Sequence, residues 1–184
     1  MKRYIFFLIM MLALAPMAFA QTGNSKLTIK LKKGIFTLNN VNVAKTWAIK
    51  PVAAVLGLPS KQKDGFNKTH TYNNYGIVLF EKKDDEVSTG QISEFQVYFS
   101  QPEDKNDIVP SEPFFKGTFN FEGLNVTSET SYDVLRAKLS DYTLSESYTA
   151  HSYRLSKGGL YIYLLYDETE LTLIKISIGK DNGN

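Results

Sequence analysis

Lys33-Gly-Ile-Phe-Thr-Leu-Asn-Asn-Val-Asn-Val43 lines up with Lys116-Gly-Thr-Phe-Asn-Phe-Glu-Gly-Leu-Asn-Val126 at a constant offset of 83 residues, with Lys, Gly, Phe, Asn and Val identical in place. A repeat on this scale governs how the rest of the chain is read. In both copies apolar residues alternate, Phe36/Leu38 and Phe119/Phe121, as in a strand that buries one face. Asn39-Asn40 and Glu122-Gly123 then supply turn residues.

Working outward, a short helix is expected after each strand. In the second copy Thr130-Ser-Tyr-Asp133 has the form of a capping box opening a helix to about Leu139, with Val134, Leu135 and Leu139 toward the core. In the first copy Ile49, Val52, Val55 and Leu56 form the equivalent stripe. Pro51 lacks an N–H and sets the start near Ile49 or Lys50, and Gly57 with Pro59 ends the helix. Three antiparallel strands complete each unit: 69–73, 76–82 and 91–99 in the first, 150–155, 160–166 and 171–178 in the second. His70-Thr-Tyr72 matches His151-Ser-Tyr153 in this alignment. The expectation is an α+β protein of two units, 27–100 and 114–180, with the helices packed on one face of the sheet. The polar, proline-bearing stretch 101–113 reads as the linker between them. Trp47 is expected as a core or interdomain plug.

Val41-Asn-Val43, the helix end Val55-Leu-Gly-Leu-Pro59, and Tyr72-Asn-Asn-Tyr-Gly-Ile-Val-Leu79 together resemble the tandem repeats of β-lactamase inhibitory protein. They are similar also to the SmpA/OmlA-type outer-membrane assembly lipoproteins that share the repeat. The resemblance implies BLIP-like units whose concave sheet face binds another protein. The chain departs from the lipoproteins in having no cysteine to lipidate, and from the inhibitor in lacking its repeat cysteines.

The N-terminus, MKRYIFFLIMMLALAPMAFA, has Lys2 and Arg3 before an apolar core, and Ala18 and Ala20 at the positions signal peptidase reads. A signal peptide over 1–20, cleaved after Ala20, is expected, with periplasmic or secreted localisation in a Gram-negative bacterium. Lys2 and Arg3 leave with it, so the 21 Lys+Arg of the full chain fall to 19 against 19 Asp+Glu. No basic stripe remains to neutralise phosphates, which argues against nucleic acid. No second apolar run reaches membrane-spanning length, so stable membrane insertion after cleavage is not expected. Without cysteines the fold must be held by its core alone.

No motif for catalysis stands out. Gly-x-Ser-x-Gly, Ser-x-x-Lys with its partners and Cys/His pairs are absent, so no catalytic residue is assigned. His70 and His151 lack metal-site spacing, and the acidic turns at Asp84-Asp85-Glu86 and 167–170 lack the pattern of a calcium loop. No cofactor and no metal are expected. The distinctive feature is tyrosine. In Leu160-Tyr-Ile-Tyr-Leu-Leu-Tyr166 the aliphatic side suits the core, leaving Tyr161 and Tyr163 on the other face. Phe95, Val97 and Phe99 are likewise expected inside, with Glu94, Gln96 and Tyr98 outside. Tyr72, Tyr98, Tyr153, Tyr161 and Tyr163, amid Lys175 and Ser177, form the candidate partner-binding face. The expectation is an exported, non-enzymatic protein-binding module, of inhibitor or immunity type, whose partner is another exported or envelope protein. The alternative is an envelope scaffolding or cell-wall-associated protein.

Overall fold

The computed structural model describes residues 26–103, 106–111, 114–145, 150–169 and 171–180. The expected signal segment and its cleavage point lie outside them. The fold is α+β, and the described residues form two sheets, three short α-helices and one 3-10 turn at Asn73–Tyr75. Strands β1 (Thr28–Lys32), β2 (Ile35–Leu38), β3 (Val41–Asn42), β8 (Thr118–Phe121) and β9 (Leu124–Val126) form a five-stranded sheet in the order β3-β2-β1-β8-β9. Strands β4 (Lys61–Lys63), β5 (Lys68–Tyr72), β6 (Ile77–Asp84), β7 (Val87–Tyr98), β10 (Thr143–Ser145), β11 (Ser152–Lys157), β12 (Leu160–Tyr166) and β13 (Leu173–Lys180) form an eight-stranded sheet in the order β10-β11-β12-β13-β7-β6-β5-β4. Helices α1 (Val43–Thr46), α2 (Ile49–Leu56) and α3 (Tyr132–Lys138) complete it. No helix among the described residues is long and apolar enough to cross a membrane.

The strands follow from tight turns. Asn39 and Asn40, Asp85 and Glu86, and Glu122 and Gly123 each pair two positive φ values in a two-residue connection, the backbone twist that suits a hairpin and that Asn, Asp and Gly tolerate best. Asp85 and Glu86 are therefore turn formers, while Asp84 ends β6 opposite Val87. Alternation then sends Ile29, Leu31, Phe36, Leu38, Phe119 and Phe121 of the small sheet into the same buried cluster as Leu79, Phe95, Ile162 and Ile178 of the large one. Phe36 and Phe95 meet edge to face, ring centroids 5.0 Å apart, and Trp47 lies 6.2 Å from Phe36. Each such fully buried aromatic contributes roughly 2–3 kcal/mol of transfer free energy.

Several expectations are corrected. Each half has four strands in the large sheet, because β4 and β10 add short edge strands. Strand β1, not foreseen, pairs antiparallel with β2 and parallel with β8, so the two expected units share one core. Ser131 caps α3, its hydroxyl accepting from the Val134 N–H, and Val134 is 46% exposed where it was expected inside. Within the expected linker, the Ile108 carbonyl accepts from the Thr71 hydroxyl and the Ser111 N–H donates to Asn73, which ties this segment to the β5 end of the sheet.

Candidate functional site

Antiparallel register assigns each tyrosine to a face. Across the large sheet, Tyr72 pairs with Ile77, Ile77 with Val97, Val97 with Ile176, Ile176 with Leu164, and Leu164 with Tyr153. Directly paired residues share a face, and Ile77, Val97, Ile176 and Leu164 belong to the core. Tyr72 and Tyr153 are thus on the inner face, a correction to the expected binding set. Tyr72 is 2% exposed, and burial pushes its hydroxyl pKa up to about 12. Tyr153 stacks on Tyr132 of α3 with centroids 3.6 Å apart.

The other face carries Tyr161, Tyr163, Ser177, Gln96 and Glu94 in adjoining rows: Arg154–Tyr163–Ser177–Gln96 in one, Ser156–Tyr161–Gly179–Glu94 in the next. Tyr161 and Tyr163 are both half-buried there. Tyr98 shares the face through its pairing with Lys175, but at 3% exposure it is floor and not docking surface, a second correction. Its hydroxyl donates to Gln96 Oε1 at 2.7 Å, and burial raises its pKa, with the Glu94 charge adding to the effect.

These groups interlock. Gln96 Nε2 donates to one oxygen of Glu94, and the Tyr161 hydroxyl donates to the other at 2.7 Å. The Tyr161 ring lies against Gly179, where any Cβ would overlap it. Its ring also carries the Arg154 guanidinium 4.5 Å from the centroid. The Lys175 ammonium stands 5.6 Å from the Tyr98 ring and 5.7 Å from the Tyr163 ring, distances at which a ring face attracts a cation. Burial lowers the Lys175 pKa, and Glu94 and Tyr163 oppose that shift. Within the expected tyrosine face lies a depression of about 240 Å³ lined by Glu94, Arg154, Tyr161, Tyr163, Lys175 and Ser177. At its floor the Ser177 side chain is buried, 1% exposed, and its hydroxyl hydrogen-bonds to none of the described residues.

Arg154 is the lining residue that sequence reading missed. Counting back across the two-residue Gly158-Gly159 turn places it opposite Tyr163, so the signal was present. His70 is on the inner face opposite Leu79, its Nε2 2.8 Å from Glu81 Oε2 with both side chains buried. Among the described residues no three His, Asp or Glu converge as metal ligands. What the depression offers is hydrogen-bond donors and cations held in place by rings, an arrangement suited to binding.

Residues 28–136 match the family described as "Domain of unknown function (DUF7738)". No curated protein matches the chain. Among solved structures, the chain is similar to an extracellular protein containing an SCP domain from Bacillus anthracis str. Ames (12% identity, TM-score 0.45, covering 74% of this chain and 44% of that one). It is similar also to a DUF4309 family protein from Bacillus subtilis subsp. subtilis str. 168 (14% identity, TM-score 0.44, 81% and 89% covered). A third is a cysteine-rich secretory protein from Staphylococcus aureus subsp. aureus Mu50 (11% identity, TM-score 0.39, 77% and 47% covered). The chain spans less than half the length of the first and the third of these.

Proposed function

The chain belongs to the DUF7738 family, and we propose that it is an exported, non-catalytic protein-binding module that engages its partner through the outer face of the large sheet around Tyr161 and Tyr163. The observation that carries this reading is the Ser177 hydroxyl, buried without a partner at the floor of the depression. A buried hydroxyl left unbonded costs roughly 1–3 kcal/mol, so it is a place where an incoming group gains. No base among the described residues hydrogen-bonds to this hydroxyl, so Ser177 is not set up as a serine nucleophile. Export rests on the N-terminal Lys2-Arg3, the apolar run and Ala18/Ala20.

A duplicated unit, of the kind the BLIP-like resemblance suggests, is supported by pairing: Leu79 opposite Phe95 and Ile162 opposite Ile178 are spaced by the same 83 residues as the sequence repeat. The His70/His151 match does not keep that register, since Leu155 is the residue opposite Ile162. Its position in the sheet is therefore the one His70 holds in the first half.

The test is affinity capture from envelope extract with the purified protein and its Tyr161→Ala/Tyr163→Ala variant, both checked for native circular dichroism. The expected result is a stoichiometric partner lost from the variant. Equal recovery by both proteins would remove this face from the function. A captured hydrolase or toxin would place the protein among inhibitors or immunity proteins, and a structural envelope component would favour scaffolding.

A further inference from the structure

We infer that the depression seats a carboxylate borne by the partner protein, an acidic side chain or a chain terminus, bonded by the Ser177 hydroxyl and the Lys175 ammonium. This rests on the protein-binding reading and names the chemistry of its anchor point.

The depression holds more donors than its acceptors use. Glu94 contributes two acceptor oxygens, and they already receive hydrogen bonds from the Tyr161 hydroxyl and Gln96 Nε2. Gln96 in turn accepts from Tyr98. This chain of bonds fixes Glu94 on one wall. The Ser177 hydroxyl bonds to none of the described residues, and Lys175, two residues earlier on β13, projects from the same face of the strand with its ammonium 5.6 and 5.7 Å from the Tyr98 and Tyr163 ring centroids. A hydroxyl and an ammonium on adjacent same-face positions call for an acceptor, and beside a partly desolvated cation the best acceptor is an anion.

Charge and size choose among anions. Glu94 lines the same depression, so a dianion such as phosphate meets repulsion that a singly charged carboxylate meets to half the extent. About 240 Å³ accommodates a carboxylate with a short stem. The depression is open to solvent on one side, so a free small acid would stay largely hydrated, whereas a carboxylate carried on a protein surface brings its own cover. Burial penalises the Lys175 charge, and a bound carboxylate would restore it, so binding should weaken as pH rises through the lowered lysine pKa.

The experiment uses the purified, isotope-labelled full protein and three probes: acetyl-Gly-Glu-amide, its glutamine counterpart, and acetyl-Gly-Gly with a free C-terminus. The expected result is saturable amide-shift changes at Ser177, Lys175 and Tyr163 with the acidic probes and none with the glutamine peptide. Ser177→Ala and Lys175→Met should each weaken the binding about tenfold, the size expected for losing one charge-assisted hydrogen bond. Their amide spectra outside the site should remain those of the parent. Sodium acetate at the same concentration serves as the free-acid arm, and saturation by acetate as tight as by the peptides would assign the site to a small metabolite and overturn the protein-borne source. Absence of any carboxylate-dependent shift, with partner capture still lost in Tyr161→Ala/Tyr163→Ala, would overturn the anchor and leave the binding face standing. If capture is also unchanged in that double variant, both readings fall.

Discussion

Two residues show how much one atom decides. Gly179 is opposite Tyr161, and the ring occupies the space a Cβ would take. Gly179→Ala must therefore displace Tyr161 from Glu94, at a cost of roughly 1–3 kcal/mol as for other overpacked sites. The expected result is a lower urea midpoint together with loss of the Arg154–Tyr161 stacking in side-chain spectra; an unchanged midpoint would show that the ring can move without penalty. Glu81 is the other case. Its two oxygens accept from the Gly90 N–H at 2.8 Å and meet His70 Nε2 at 2.8 Å, and Gln62 Nε2 closes on His70 Nδ1 at 3.0 Å. Glu81→Ala leaves the buried His70 ring and the half-buried Gly90 N–H bare and should cost about 3 kcal/mol in urea unfolding; a loss within 1 kcal/mol would mean that water replaces the carboxylate. Simple alternation places Tyr161 and Tyr163 correctly because β12 keeps one register against β13 from Leu160 to Leu165, and the irregularity comes only between Leu165 and Tyr166. The same reasoning failed for Tyr72 and Tyr153, whose faces depend on how β5 and β11 register against their neighbours. A strand's own sequence does not contain that information.

At the level of elements, local chemistry was informative where it closes a structure. Helix α2 begins at Ile49 and ends before Gly57, as Pro51 and the Gly57/Pro59 pair require. The cap of α3 was misassigned by one residue. Ser131 Oγ accepts from the Val134 N–H, while Thr130 Oγ1 instead receives the Thr127 N–H at 2.9 Å and so organises the approach to the helix. Ser131→Ala should lower stability by about 1 kcal/mol, read as a drop in melting temperature, and Thr130→Ala should act on the preceding turn without changing helix content by circular dichroism. Equal loss of helical signal in both variants would show that the two hydroxyls cap together. The missed strands have physical reasons. Lys61, Gln62 and Lys63 of β4 are all exposed, giving no apolar alternation, and edge lysines protect an open sheet margin from pairing with other chains. The Ile29/Leu31 alternation of β1 was legible, but its position between β2 and β8 arises only when both halves of the chain come together.

At the scale of the whole molecule, that joining makes one core from both halves of the chain, and tyrosines from several elements are buried, Tyr72, Tyr142 and Tyr166 in the core and Tyr98 on the opposite face of the large sheet. Tyr72 of β5 and Tyr142, which follows α3, are each pushed up to about 12, in both cases mainly by burial, with Glu122 adding to the effect at Tyr142. Tyr98 and Tyr166 are raised further, again chiefly by burial. The ordinary tyrosine value is about 10. A folded-state pKa above the unfolded one means that the native state holds protons which the unfolded chain has released, so stability falls with rising pH. The contribution is complete below pH 10 and is lost progressively as pH climbs through the folded-state values. Lys175 acts in the opposite direction: its lowered pKa makes the charged form a small liability that disappears as pH rises toward 10.5. One lysine against four tyrosines leaves the tyrosines dominant. The urea midpoint should hold from pH 8 to about 10 and then drop steeply toward pH 12, by an amount on the order of 2 kcal/mol per deeply buried tyrosine. Absorbance at the tyrosinate band should include a late stage in which Tyr72, Tyr98, Tyr142 and Tyr166 ionise only as the chain unfolds. Tyr72→Phe removes one contributor without emptying its space, so its alkaline drop should be shallower than the parent's while its stability at pH 8 stays close. A single tyrosinate step near pH 10 in the folded protein, with the urea midpoint unchanged to pH 12, would show that these rings are reached by solvent and that the two halves do not close on one another as described.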